Sequence, residues 1–242
     1  MDPRGRTVLV TGGAARVGRA ISLAFAEAGA RVIIHYHTSE RDAGELVEEI
    51  RRAGGEASAI QADLSSPDAV QDLATAAEAV APVDILINNA SVFPPASFLD
   101  VTPGIWENAI AVNLRAPFFL TQRIGGAMKA RGAGVVINIA DLSGIQSWMG
   151  YAAHSISKAG LVHFTKVAAR VLAPEVRVAA IAPGTVLPPV SASPEEISRL
   201  ADRSALERIG SPEDVVRAVM FLIMSDFITG EILTVDGGRS LH

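Results

Sequence analysis

Seven short apolar runs, separated by segments of helical period, constrain this 242-residue chain more than any other feature. The runs are Thr7–Thr11, Arg31–Tyr36, Ala57–Gln61, Asp84–Asn88, Val135–Ala140, Val176–Ala182 and Ile232–Val235. Each has strand length, and several are apolar on both alternating faces, the pattern of strands covered by helices on either side. After the first run, Val17, Ile21, Ala24 and Ala28 recur at i, i+4, i+7 and i+11, the stripe of a helix that Gly29 ends. Leu46, Ile50 and Ala53 mark a second helix, closed by Gly54-Gly55. Ser66-Pro67 and Ser211-Pro212 each open a further helix with Pro in its first position. Alternation of this kind requires right-handed crossovers, so the expected fold class is α/β: a doubly wound parallel sheet of about seven strands with helices on both faces. No linker, repeat or composition break interrupts the pattern, and residues 1–242 are expected to form one domain. The least regular stretch, Gly184–Pro194, holds Pro188, Pro189 and Pro194 and is expected to open a substrate loop near 184–203 that acts as a lid.

Composition removes several function classes. Hydrophobic residues make up 49% of the chain and charged ones 19%, which supports a sizeable core. Cysteine is absent, excluding disulfides, thiolate metal sites and a cysteine nucleophile together. With 21 basic and 26 acidic residues the net charge is −5, which argues against a nucleic-acid partner. No apolar run approaches the roughly 20 residues of a membrane span. Met1–Arg6 leads into a strand rather than a signal-peptide core, so a soluble cytoplasmic protein is expected. The five histidines show no metal-ligand spacing, His163 and His242 need no chemistry, and no GxSxG elbow is present.

Thr11-Gly12-Gly13-Ala14-Ala15-Arg16-Val17-Gly18 joins the first strand to the first helix. Glycines let the backbone approach a pyrophosphate, and a helix N-terminus offers free N–H groups and a positive dipole end. A dinucleotide held by Gly12, Arg16, Val17 and Gly18 is therefore expected, with a plain flexible loop as the alternative. An NAD-selective site places a carboxylate at the end of the second strand to hold the ribose 2′-OH. Here that position reads His35-Tyr36-His37-Thr38-Ser39, with no acid until Glu40. The Arg16 guanidinium with His37, Thr38 and Ser39 suits a 2′-phosphate instead, which favours NADPH over NADH. The alternative for Arg16 is a solvated surface side chain.

The turn resembles the TGxxxGxG motif of the short-chain dehydrogenase/reductase family, with Arg16 in place of its middle glycine. The resemblance continues through Asn88-Asn89-Ala90, Asn113, Pro183-Gly184 and Val235-Asp236-Gly237-Gly238, and so covers essentially the whole chain. Arg16, His35-Tyr36-His37, Asn88-Asn89-Ala90-Ser91 followed by Phe93, and Asp141 resemble the pteridine reductase branch. The resemblance implies a Rossmann-type fold, a homo-oligomer (commonly a tetramer) and a small-molecule substrate. It further implies cofactor contacts from Asp63, Leu64, Asn89, Ala90, Ser91, Lys158, Pro183 and Gly184. Phe93 is implied to stack on a planar substrate, though packing in the core or under a lid is nearly as good an account. Ser91, Asp141, Trp148 and Leu187 would face that substrate; Trp148, Leu187, Met149 and Val190 are candidate apolar walls, with plain packing the commoner account of each.

The catalytic end departs from the family. A YxxxK pair is expected on a helix, preceded thirteen positions earlier by serine. Counting back from Lys158 gives His154 in the tyrosine position and Asp141 in the serine position; Tyr151 stands seven residues before Lys158 and does not fit the spacing. His154 and Lys158 share a helix face one turn apart. The ammonium would favour a neutral imidazole, whereas Asp141 would favour imidazolium and a usable general acid. Sequence leaves that contest open. Two readings follow: a reductase with an altered proton donor, or a catalytically impaired NADPH-binding protein acting as sensor or partner. Asn113 has an argument of its own, because Pro117 four residues later lacks the N–H that would bond the residue 113 carbonyl. The freed carbonyl either holds a water leading to Lys158, as in the family, or marks a helix kink.

Overall fold

In the computed structural model, which describes residues 1–188 and 192–241, each apolar run is a strand. These are β1 (Thr7–Val10), β2 (Arg31–Tyr36), β3 (Glu56–Gln61), β4 (Ile85–Asn88), β5 (Gly134–Ile139), β6 (Val176–Pro183) and β7 (Ile232–Val235). All pair in parallel, in the order β3-β2-β1-β4-β5-β6-β7. The chain winds outward from β1 to β3, then returns to place β4 against β1. That reversal opens a crevice above the carboxyl ends of β1 and β4, where such sheets bind ligands.

Period-two alternation divides the strands between two cores. Val8, Val10, Val32, Ile34, Ile85 and Ile87 pack under α1 (Arg16–Glu27), α2 (Glu40–Arg52) and α9 (Pro212–Met224). Leu9, Ile33, Leu86, Val136 and Val178 face the other way, against α3 (Pro67–Val80), α7 (Ala152–Leu172) and the helical rod spanning 103–131. Strand ends differ from the expected ones by a residue, for local reasons. Thr11 leaves β1 because its hydroxyl accepts the N–H groups of Asn89 and Ala90. Asp84 stays outside β4 because its carboxylate caps the Thr7 N–H at 3.0 Å.

The expected Ser-Pro helix starts are present. Ser66 accepts from the Ala69 N–H, and Ser211 with Asp214 forms a capping box. The rod consists of α4 (Pro103–Ile110), a π turn (Ala111–Arg115), α5 (Ala116–Leu120), a second π turn (Thr121–Gly125) and α6 (Gly126–Arg131). Pro117 therefore does not break the helix. The hydrogen-bond register widens just before it, with Ala116 N–H donating to Ala111 O. One expectation needs correcting: the 184–203 segment is not irregular throughout, because Pro194–Ala201 forms α8, started by a Ser193–Glu196 capping box. Pro189, the proposed wall residue Val190 and His242 lie outside the described residues. Among the described residues no helix is long and apolar enough to cross a membrane.

Candidate active site

The crevice between β1 and β4 is a cleft of about 560 Å³. It brings together ten of the expected cofactor residues: Gly12, Arg16, Val17, Gly18, His37, Asp63, Leu64, Asn89, Ala90 and Ser91. The first turn of α1 carries no acidic residue, and its N-cap, Ala15, makes no side-chain hydrogen bond, so backbone donors there are left for an anion. Gly18 is required by contact: a Cβ there would stand 2.1 Å from the Gly12 carbonyl oxygen and 2.6 Å from Asn89 Nδ2. Arg16 takes the left-handed backbone (φ 51°) at the position where the family motif has glycine. Its exposed side chain lines the same cleft as His37, whose Nε2 lies 4.0 Å from Asp63 Oδ2. The donor set therefore fits a dinucleotide with an added phosphate. Thr38 and Ser39 do not line the cleft; Thr38 is exposed and Ser39 serves as the N-cap of α2. Pro183 and Gly184 stand at the end of β6, where Gly184 N–H donates to Val235 O at 3.0 Å.

Beneath the glycine turn, His35 is buried with both ring nitrogens occupied. Nδ1 accepts from the Gly12 N–H (3.0 Å), and Nε2 donates to the Ala62 carbonyl (3.1 Å). That pattern defines one neutral tautomer. Burial pushes this ring down from 6.5 to about 4, against the opposing pull of the Ala62 bond. The unfolded chain takes up a proton from pH 6.5 downward, whereas the folded ring resists until about pH 4. Stability is therefore full above that window and falls as pH drops through it, by about 3 kcal/mol from this group. Denaturant melts of wild type and His35→Asn at pH 7 and 4.5 check this. The variant is expected to be less stable at pH 7 but to lose less on acidification; equal losses would remove His35 as the source.

Asp141, His154 and Lys158 converge at the carboxyl end of β5. His154 is in the first turn of α7 and buried, with Nε2 3.8 Å from Asp141 Oδ2 and Nδ1 3.0 Å from the Val92 carbonyl. A carbonyl can only accept, so Nδ1 carries hydrogen. Asn113 Nδ2 also lies 3.3 Å from that nitrogen, but its two hydrogens have better acceptors in Val92 O and Ser157 Oγ, both at 3.0 Å. Nε2 is buried without a hydrogen-bond partner and faces the carboxylate. The ring therefore keeps Nδ1 as a donor to Val92 and turns Nε2 toward the carboxylate. Asp141 is pushed up by burial, but the nearby His154 ring and the bond from the Ser143 N–H (2.7 Å) outweigh this and hold it below the usual carboxylate range. Lys158 is buried, donates to Ile139 O at 2.9 Å, and is lowered by desolvation to about 8, with Asp141 opposing the shift.

Phe93 meets His154 edge-on (4.4 Å between centroids, 83°) and stacks on Tyr151 (4.1 Å, 23°), while Trp148 stands edge-on to both Phe93 and Tyr151. Tyr151, whose spacing does not fit the YxxxK position, covers one face of Phe93. The bridge between Ala96 and Tyr151 explains why. Met149 is corrected as a wall residue: it is 90% exposed and packs against nothing substantial. Leu187 is half-buried and does not line the cleft of β1 and β4. His163 is exposed. Asn113 does more than its backbone suggested. Its Oδ1 accepts from Ser91 Oγ (3.1 Å) and Val92 N–H (2.8 Å), so one fully buried amide clamps the 91–92 loop against His154. The Val92 carbonyl and Ser157 were missed; a backbone oxygen leaves no signal in residue type.

A parallel sheet with a glycine-turn crevice, and a buried histidine–lysine pair at the carboxyl end of β5, define a dinucleotide-dependent oxidoreductase. The family model described as Enoyl-(Acyl carrier protein) reductase matches residues 12–240. An uncharacterized oxidoreductase of Mycobacterium tuberculosis is 38% identical, the match covering 96% of this chain and 91% of that protein. The 3-oxoacyl-[acyl-carrier-protein] reductase of Synechocystis is 34% identical, covering 96% of each. Among solved structures, FolM alternative dihydrofolate reductase 1 from Brucella canis, complexed with NADP, superposes with a TM-score of 0.94 at 32% identity, covering 100% of this chain and 96% of that one. The chain belongs to the short-chain dehydrogenase/reductase family and is an NAD(P)-dependent oxidoreductase.

Proposed function

We propose that this chain is an NADPH-dependent, pteridine-reductase-like enzyme that reduces a small planar pterin-type or carbonyl substrate, with His154 as proton donor. The observation that carries the reading is the seating of His154 between the Val92 carbonyl and the Asp141 carboxylate, which fixes Nδ1 as a donor and turns Nε2 toward the acid. The likeness to the NADP-bound FolM protein supports the substrate class and cofactor. When bound, the reduced nicotinamide supplies the hydride. Lys158 holds the nicotinamide ribose, Asp141 orients the imidazole and stabilises its charge, and Nε2 of His154 passes its proton to the substrate nitrogen or oxygen. Asn113 fixes the loop that carries Ser91 and Val92, and Phe93 forms an aromatic wall beside the donor. Exposed apolar side chains on α5 and α7, among them Phe118, Ile156 and Val171, support assembly into a homo-oligomer.

The test is NADPH consumption against dihydropterins, quinones and ketones. Turnover of dihydropterins ahead of the others is expected; a silent wild type that gains activity in His154→Tyr would replace this reading with a decayed site. Cofactor choice is tested separately. Arg16→Ala is expected to weaken NADPH about tenfold while changing NADH little, since only the former presents a 2′-phosphate to a charge-assisted bond. Equal affinity of the wild type for both dinucleotides by titration would refute the assignment.

A further inference from the structure

Across the aromatic cluster from His154, one cation stands outside the chemistry described so far. Arg239 opens the short 3₁₀ turn Arg239–Leu241 that follows β7, and its guanidinium carbon lies 4.7 Å from the centre of the Trp148 ring. The turn is held firmly. The Asp236 carboxylate accepts the N–H groups of Gly238 (2.9 Å) and Ser240 (2.7 Å), and Gln146 Nε2 donates to Ser240 O (3.2 Å). Nη1 donates to Thr185 Oγ1 at 2.6 Å, fixing the guanidinium against the segment after β6. Nε and Nη2 make no hydrogen bond among the described residues, and no carboxylate there lies within ion-pair distance of Arg239. That leaves a planar two-donor edge, which matches the two oxygens of a carboxylate.

The surroundings sharpen the point. Arg239 is half-buried, and the exposed Arg203 bears on it with like charge, while Asp141 and Asp236 oppose that effect. The like charge of Arg203 disfavours the Arg239 cation, and a bound anion would relieve that effect. Among the described residues Arg239 makes no hydrogen bond or ion pair with Asp141, His154 or Lys158.

We propose that Arg239, laid over Trp148, forms a carboxylate-binding subsite, so that the substrate is a planar molecule bearing an acidic substituent on the side away from His154. This deepens the reading above and rests on it for the position of the reacting ring. The test separates the two. Calorimetric titration of the NADP-saturated protein compares pterin-6-carboxylate with its carboxamide, and 2-naphthoate with 2-naphthamide. Wild type is expected to prefer the acid about tenfold on at least one ring system, the order of a charge-assisted hydrogen bond. The preference should vanish in Arg239→Gln and survive in part in Arg239→Lys, which keeps the charge but not the fork. A naphthoate preference that follows Arg239, without any pterin turnover, would uphold the subsite and sink only the pterin reading. Equal binding of acid and amide, binding of neither acid, or a preference unchanged in Arg239→Gln would overturn it.

Discussion

His154→Gln is expected to cut turnover by about 10²- to 10⁴-fold, the usual worth of a positioned general acid, with a much smaller effect on NADPH affinity. Glutamine keeps a donor near Val92 and Asp141 but has no proton to surrender at neutral pH. Restoring the family residue with His154→Tyr should also lower the rate here. A phenol placed where Nε2 faces a carboxylate 3.8 Å away is held in its neutral form by that charge, and it forfeits the bond to the Val92 carbonyl. Single-turnover kinetics with saturating NADPH would read the chemical step directly. A glutamine variant within threefold of wild type (roughly, against the span above) would show that the proton comes from elsewhere.

The second large effect concerns the glycine turn. Gly18→Ala puts a methyl group 2.1 Å from the Gly12 carbonyl oxygen, a backbone atom that has little room to retreat because Gly12 itself lies against Ala90. Either the turn or the start of α1 must move, and both belong to the surface offered to the cofactor. A loss of about 2 kcal/mol or more in stability is expected from such overpacking. NADPH affinity should fall by at least about a hundredfold, since misplaced donors lose several hydrogen bonds together. Gly126→Ala supplies the control. It sits inside α6 with nothing within 4 Å of the added carbon, and should raise stability by up to about 1 kcal/mol through helix propensity alone. Melts and cofactor titration of both variants decide whether contact, rather than loss of glycine as such, is responsible.

The parts legible in sequence were those where periodicity or spacing has one geometric meaning. Alternation of Val8, Leu9 and Val10 between two cores follows directly from the pleat. The i, i+4 relation of His154 and Lys158 could mean only one helix face, whereas Asp141 came from the family resemblance, which puts a serine thirteen positions before the tyrosine. What resisted was chemistry carried by backbone and by bridging contacts. Val92 is an ordinary apolar residue whose carbonyl decides the hydrogen content of Nδ1. Tyr151 has the wrong spacing for catalysis and the right one for packing on Phe93, a relation made by the Ala96–Tyr151 bridge. Met149, offered as an apolar wall, lies in a turn where its side chain points outward into solvent. The helix at 194–201 was legible in principle from its Ser193-Pro194 start, but it buries no residue firmly enough to give an apolar stripe.

The two π turns of the 103–131 rod solve a problem of angular phase. Its buried stripe, Val112, Ala116, Leu120, Ile124 and Met128, repeats every four residues, and all five reach the same core. An α-helix turns once in 3.6 residues, so each repeat would carry the stripe about 40° too far, and about 160° over the four steps. Two widened loops of backbone wind the rod more slowly and keep the stripe on the sheet. Each π turn in effect accommodates one extra residue, so the helix on either side keeps its facing, and Asn113, which lies inside the first such turn, arrives at His154.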